Sequence, residues 1–438
     1  VEHGLALDRG DRSTSDNGRG VVAWCLFDWA NSAFPTIVVT FVFANYFTRA
    51  LASSSDQATA EWGSAISISG LVVAVLAPIF GAIADLGGRR KPWIFLFSLI
   101  CIVVGLGLWT VEPHPSFALR ALILVGIANA AYELGQVFYN AMLPDLAPRS
   151  RLGRVSGWAF ATGYAGGLAC LATTLVLLIW PADPLFGLLS ASDAEPARAS
   201  AILVSLWYLL FAIPMFLFTP DQPSSGLAMR QAVVRGLANL VATFRNLADH
   251  RNIARFLLAR MIYTDGLNTL FIFGGIYAAA RFGMDTEEVL VFAILLNVAS
   301  GLGAAAFGWV DDAIGPKRTI LIAVAWLFVS GMLILLVESK LWFYVLGCVI
   351  GVFVGPAQSA ARSLMARLAP ERMRTEMFGL YALSGKATAF MGPAAVTWVT
   401  LWTGSQRLGM ATILVFFLVG FVLMLPVREE SPDSSVAP

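Results

Sequence analysis

The sequence predicts an all-helical membrane protein of twelve spans, folded as two six-helix bundles that are parallel repeats of each other. Three observations predict it. The 438 residues are 58% hydrophobic and 13% charged, with a mean hydropathy of +0.74. A soluble domain is about 25% charged, so the apolar excess must face lipid. Twelve runs reach the roughly 20 mostly apolar residues that a span needs. Finally, Asp28-Trp29-Ala30-Asn31-Ser32-Ala33-Phe34 in the first run is matched 237 residues later by Asp265-Gly266-Leu267-Asn268-Thr269-Leu270-Phe271 in the seventh.

The elements follow in order. Residues 1–20 form a polar tail without the apolar core of a signal peptide. The tail has no initial Met, which reads as trimming, and the first span would then serve as an uncleaved signal. Span 1 (22–47) holds Asp28 and Pro35, and span 2 (62–84) holds Pro78. Span 3 (93–111) has no interior charge. Span 4 (117–142) carries Glu133. Span 5 (155–180) contains Gly163-x-x-x-Gly167, a spacing that suits close helix crossings. Span 6 (200–218) completes the first bundle, residues 21–218.

Residues 219–251 are a linker. Within it Val234, Leu237, Val241, Phe244 and Ala248 recur at helical spacing beside Arg230, Arg235 and Arg245. This reads as an amphipathic helix, either a tether or a helix lying on the membrane face. The second bundle, 252–427, opens with span 7 (252–280), which holds Arg260 and Asp265. Spans 8 (287–310) and 9 (319–337) follow, then span 10 (341–365) with Arg362 and span 11 (375–400) with Lys386. Span 12 (408–426) and a tail at 428–438 end the chain. Intrahelical Gly and Pro are tolerated in membranes where neighbours re-satisfy the backbone.

Two further anchors support the duplication. Gly81-x-x-x-Asp85-x-x-Gly88-Arg89-Arg90 recurs as Gly308-x-x-x-Asp312-x-x-Gly315-Pro316-Lys317-Arg318, and Leu146-Ala147-Pro148 recurs as Leu368-Ala369-Pro370. Both halves start on the same side, so they are parallel repeats. One set of loops and tails holds 19 Lys and Arg, the other 6. The positive-inside rule then puts both termini in the cytoplasm, in the inner membrane if the source is prokaryotic.

The net charge of +1 gives no reason to expect nucleic acid as a partner. Three scattered His and four single Cys give no metal spacing, so no cofactor or metal is expected. Gly379-x-x-x-x-x-Gly385-Lys386-Ala387 imitates a phosphate loop, but it has one residue too many and Ala where Ser or Thr must bind magnesium. No nucleophile and base are suitably spaced, so an enzyme is not expected.

The Gly-x-x-x-Asp-x-x-Gly-Arg-Arg turn resembles the loop of the major facilitator superfamily, and its recurrence in both halves extends the resemblance to nearly the whole chain. A narrower likeness rests on Phe27–Phe34, Tyr263-Thr264-Asp265-Gly266, Gln358-Ser359-Ala360-Ala361-Arg362-Ser363-Leu364 and Tyr381-Ala382-Leu383-Ser384-Gly385-Lys386. These segments look like the autophagy-related vacuolar amino-acid effluxer branch and its bacterial relatives. The resemblance implies the major facilitator fold, in which spans 1, 4, 7 and 10 line a central cavity and 3, 6, 9 and 12 lie outermost.

Charge in hydrocarbon is costly and marks function by default. Away from the span ends it falls at Asp28, Glu133, Arg260, Asp265, Arg362 and Lys386, and nowhere in spans 3, 6, 9 or 12. Asp28, Glu133 and Asp265 are the candidates for proton coupling. Burial favours the neutral carboxyl and a nearby cation favours the ionised one, so exposure to alternate sides changes proton occupancy. A cap on a broken helix is the structural alternative for each. Lys386, near the bilayer centre, is expected to bind a substrate carboxylate or to neutralise Glu133 or Asp265. Arg260 is expected to pair with Asp265, and Arg362 to snorkel from the inner end.

Trp29, Asn31, Tyr132, Gln136, Tyr139, Tyr263 and Asn268 adjoin the acids and are candidate substrate contacts. Asp85, Arg89, Arg90, Asp312, Lys317 and Arg318 are candidate gating residues, reaching helix ends of the opposite half. The expected function is proton-coupled transport of a small polar solute, an amino acid or similar zwitterion, by a monomer in contact with lipid. An exporter of amphiphilic drugs or lipids, and a non-transporting receptor or scaffold, are the alternatives.

Overall fold

The computed structural model describes residues 18–51, 55–181, 183–190, 193–245 and 250–429. Among these there is no strand, and eleven helices are long and apolar enough to cross a membrane. They are span 1 (Gly18–Ala50), 2 (Gln57–Gly87), 3 (Lys91–Thr110), 4 (Pro115–Leu146), 5 (Arg149–Ile179), 6 (Glu195–Phe218), 7 (Arg251–Phe282), 8 (Glu287–Ile314), 9 (Pro316–Leu336), 10 (Lys340–Leu368) and 12 (Gln406–Met424). Both described ends lie on one face, here called the terminal face.

Span 11 departs from the continuous helix expected over 375–400. It runs as Arg374–Ser384, a series of turns over 385–390, and Met391–Thr403. Gly385 follows the first piece, and Pro393 sits in the first turn of the second, where its missing N–H costs nothing. Span 1 is interrupted too. Pro35 has no N–H to continue the ladder, and Phe34–Phe41 winds as a π-helix in which Val42 N–H reaches the Ile37 carbonyl at 2.9 Å.

Packing repeats between the halves. Gly163 of span 5 lies on Asp28 and Ser32 of span 1, and Gly392 of span 11 lies on Asp265 and Thr269 of span 7. A Cβ at Gly163 would sit 2.8 Å from Ser32 Oγ, and one at Gly392 2.0 Å from Thr269 Oγ1. Small residues at these crossings let backbones approach closely.

The halves meet most extensively along two crossings, span 2 with span 11 and span 5 with span 8. Each is built on glycine. A Cβ at Gly379 would lie 2.5 Å from the Ala77 carbonyl, and one at Gly157 2.3 Å from the Ala304 carbonyl.

The linker forms a helix over Met229–Arg245. Its packed face is Ala232, Gly236, Leu240 and Thr243, with Gly236 against the backbone of Ala82 and Ile83 in span 2. The stripe singled out in the sequence faces elsewhere: Val234, Leu237 and Val241 are exposed. The Phe244 side chain and Ala248 lie outside the described residues, as do the tails 1–17 and 430–438.

Candidate functional site

A central cavity of about 560 Å³ opens between the two bundles. Its walls come from spans 1, 4, 5, 7, 8, 10 and 11 and run from Arg260 and Arg362 outward to Thr40 and Phe271. Five charged side chains line it: Asp28 and Glu133 from the first half, Arg260, Arg362 and Lys386 from the second.

Two ion pairs cross the cavity between the halves. Arg362 Nη1 lies 3.2 Å from Asp28 Oδ2 and Lys386 Nζ 2.7 Å from Glu133 Oε1. The first is dry, with Arg362 2% and Asp28 6% exposed. Arg362 also donates to Asn140 Oδ1 at 3.1 Å, to Ser156 Oγ at 2.9 Å and to the Ser156 carbonyl at 2.7 Å. Its guanidinium lies 4.3 Å from the Phe160 ring centroid. The expected snorkelling is therefore corrected. Arg362 is drawn inward because Ser359, Ala360, Ala361 and Ser363 beside it are small and let span 10 pack closely against the first half.

Asp265 does not line the cavity. Oδ2 accepts the Gly392 N–H at 3.2 Å, in the first turn of the second piece of span 11, and Oδ1 has no partner. It caps a helix that the break in span 11 has left open. Arg260 accordingly does not pair with it. Arg260 Nη1 donates to the Tyr381 carbonyl at 2.7 Å and to Ser384 Oγ at 2.8 Å, with the guanidinium over the Tyr381 ring at 3.5 Å. Lys386 sits in the break and takes Glu133, not Asp265. Irregular backbone at this depth survives because it borders the cavity.

The remaining candidates divide. Tyr132, Gln136, Tyr263 and Asn268 line the cavity. Trp29, Asn31 and Tyr139 do not, because each is held in packing. Trp29 stacks on Trp207, Asn31 is fully buried and accepts from Gln136 at 3.1 Å, and Tyr139 stacks on Trp24 and donates to its carbonyl at 3.0 Å.

At the terminal face, Asp85 accepts the Thr375 and Glu376 N–H groups at 2.9 and 2.8 Å, capping the first piece of span 11. Asp312 accepts the Gly153 and Arg154 N–H groups at 2.8 and 3.3 Å near the start of span 5, and Arg154 Nε adds an ion pair at 2.7 Å. Carboxylates favour helix N-termini through these free N–H groups and the helix dipole. Arg90 pairs with Asp145 and donates to Thr375 Oγ1 at 3.0 Å, and Arg374 also pairs with Asp145. Arg89 and Arg318 are exposed instead, and Lys317 stays within its own half, its Nζ on the Leu425 carbonyl at 2.8 Å. These contacts join the two halves at the terminal face, beyond the Arg260 and Arg362 end of the cavity.

The sequence reading missed Asp145, Arg374, Asp221 and Glu429. Asp221 accepts the Arg90 N–H at 2.9 Å and Glu429 accepts the Lys317 N–H, so each caps the equivalent span of its half. Their signal was an acid shortly after spans 6 and 12.

Two bundles joined by glycine crossings around one charged cavity define a major facilitator transporter, a class that moves solutes and is not enzymatic. The chain belongs to the family described as vacuole effluxer Atg22 like, whose model matches residues 16–434. It is 27% identical over 419 residues to the uncharacterized MFS-type transporter YxiO of Bacillus subtilis (strain 168), covering 93% of this chain and 95% of that one. It is 23% identical over 442 residues to autophagy-related protein 22 of Coccidioides immitis (strain RS), covering 84% and 72%. The fold matches the proton:xylose symporter XylE with a TM-score of 0.71 at 14% identity, over 95% of this chain and 97% of that chain.

Proposed function

We propose that this transporter moves a small polar solute, an amino acid or similar zwitterion, by alternating access, and that a proton gradient drives it. One observation carries the reading: the first half offers the cavity carboxylates, the second offers cations, and two pairs join them across the path. A zwitterion carries both complements and can replace such a pair without leaving either charge bare. Rocking the halves about the site would part Lys386 from Glu133 and Arg362 from Asp28. A proton on either acid neutralises the charge so exposed and frees its cation for the solute. The polar lining supports this reading over an amphiphile exporter. The terminal face, with the richer set of Lys and Arg, is assigned to the cytoplasm. Asp85, Arg90 and Asp312 act as the gate on that side.

The test compares counterflow with pH-gradient-driven uptake in proteoliposomes for Asp28→Asn and Glu133→Gln. Retained exchange with lost accumulation in at least one variant is expected. Full pH-driven accumulation in both single variants and in the double variant refutes coupling through these acids.

A further inference from the structure

The cavity's charges do not balance. Of two acids and three cations, Asp28 holds Arg362 and Glu133 holds Lys386, which leaves Arg260 without a carboxylate among the described residues. Its Nη1 is used by Tyr381 and Ser384, while no described residue accepts from Nε or Nη2. The Tyr381 ring backs one face of the guanidinium. Gly385 crowds it from the break in span 11, where a Cβ would come within 3.1 Å of Nη1 and 3.3 Å of Nη2. The head group is thus fixed by a stack, two hydrogen bonds and a close backbone.

Tyr263 lies three residues further along span 7, on the same helix face. It is 1% exposed, lines the same cavity, and its hydroxyl has no hydrogen-bond partner. A cation lacking a counter-ion in a weakly polar site is unfavourable, and a nearby unpaired phenol adds to the cost. Both are met by one incoming group. A guanidinium fork matches the two oxygens of a carboxylate, and a phenol O–H can donate to one of them. Glu133 stands on the opposite half, where it suits an ammonium that takes the place of Lys386.

We propose that Arg260, assisted by Tyr263, is the receptor for the solute's carboxylate, so that the transporter selects free carboxylates over the matching amides and amines. This rests on the reading of the chain as a zwitterion transporter and fixes the direction in which the zwitterion lies: carboxylate on span 7, ammonium toward span 4.

The experiment measures binding to the purified full-length protein, by thermal stabilisation and tryptophan fluorescence. The probes are matched triples: each of the common L-amino acids, its α-amide and its decarboxylated amine. At least one acid is expected to bind, with its amide and amine at least ~10-fold weaker, as loss of a charge-assisted bond implies. Arg260→Gln should weaken that acid by roughly 10- to 100-fold and leave its amide nearly unchanged, which removes the discrimination. Arg260→Lys keeps the charge without the fork and should fall between the two. Melting without ligand shows that each variant is folded.

No binding by any acid, or an unchanged acid-to-amide ratio in Arg260→Gln, overturns the proposal. Counterflow of the bound acid separates the two readings. Selective binding without counterflow leaves the receptor standing and removes the transport reading. Counterflow with an unchanged ratio in Arg260→Gln does the reverse.

Discussion

Replacing Arg362 by Met should open the terminal face. Arg362 belongs to the second half, yet four of its hydrogen bonds end on the first: Asp28, Asn140, and Ser156 twice. Met fills part of the volume and makes none of them. Asp28 then keeps a buried charge without its cation. Removing one partner of a buried ion pair costs about 3–5 kcal/mol. The contacts join the halves, so the loss falls on the conformation closed at the terminal face more than on either bundle. At about 1.4 kcal/mol per tenfold, the closed-to-open ratio falls roughly a hundred- to a few-thousand-fold. A shift of ~5.5 kcal/mol takes an equilibrium from 99:1 to 1:99, so the variant should populate the open form heavily. Spin labels at exposed positions 89 and 318, one on each half, report the separation in a chain whose Cys25, Cys101, Cys170 and Cys348 have been replaced. A longer distance should become a major component. Adding Asp28→Asn removes the stranded charge and should restore much of the short distance. An unchanged distance distribution in Arg362→Met, with unchanged melting, would refute the reasoning.

Other outcomes follow from the same geometry. Asp85→Asn loses one of two backbone acceptors and the charge at a helix N-terminus, and should favour the open terminal face by ~1–2 kcal/mol on the same label pair. Asp312→Asn should shift it further, since it also loses the ion pair to Arg154. Gly392→Ala places a Cβ 2.0 Å from Thr269 Oγ1 and should lower stability by about 1–3 kcal/mol in thermal melts; Thr269→Ala in the same chain should recover most of it. Asp265→Asn keeps an acceptor for the Gly392 N–H and should retain pH-driven accumulation, while Asp265→Ala strands that N–H and should lower stability by ~1–3 kcal/mol.

Much of the fold was legible because its causes are local or periodic. Apolar run length marks a span, and a repeated turn marks a duplication. The reach of Asp85 and Asp312 to helix starts of the opposite half was legible for the same reason: a Gly-x-x-x-Asp turn puts a carboxylate one helical turn past a small residue, just where another helix starts close by. What was not legible depends on which face of a helix meets which neighbour. Trp29, Asn31 and Tyr139 sit one to three residues from cavity-lining Asp28, Ser32 and Asn140, yet they point into packing. The break in span 11 was hidden because Gly385 and Pro393 are both tolerated in continuous membrane helices. Arg362 was misplaced because distance along the chain to the inner end says nothing about a serine hydroxyl and carbonyl waiting on another helix.

The two matched aspartates show what a repeat can and cannot specify. Duplication gave Asp28 and Asp265 the same helix position and the same glycine contact, through Gly163 and Gly392. It did not give them the same partner. With the halves aligned on Leu146-Ala147-Pro148 and Leu368-Ala369-Pro370, Arg362 in span 10 corresponds to Asn140 in span 4. Only one of these two positions carries a cation, and that cation reaches across to Asp28 while also donating to the Asn140 side-chain oxygen, Oδ1. The opposite reach, from position 140 toward Asp265, has no charge to offer. Asp265 therefore satisfies itself on the nearest free N–H, which the break in span 11 supplies at Gly392. One acid became a cavity group and the other a helix cap. The difference lies in the residue that faces each of them from the other half, not in the motif they share.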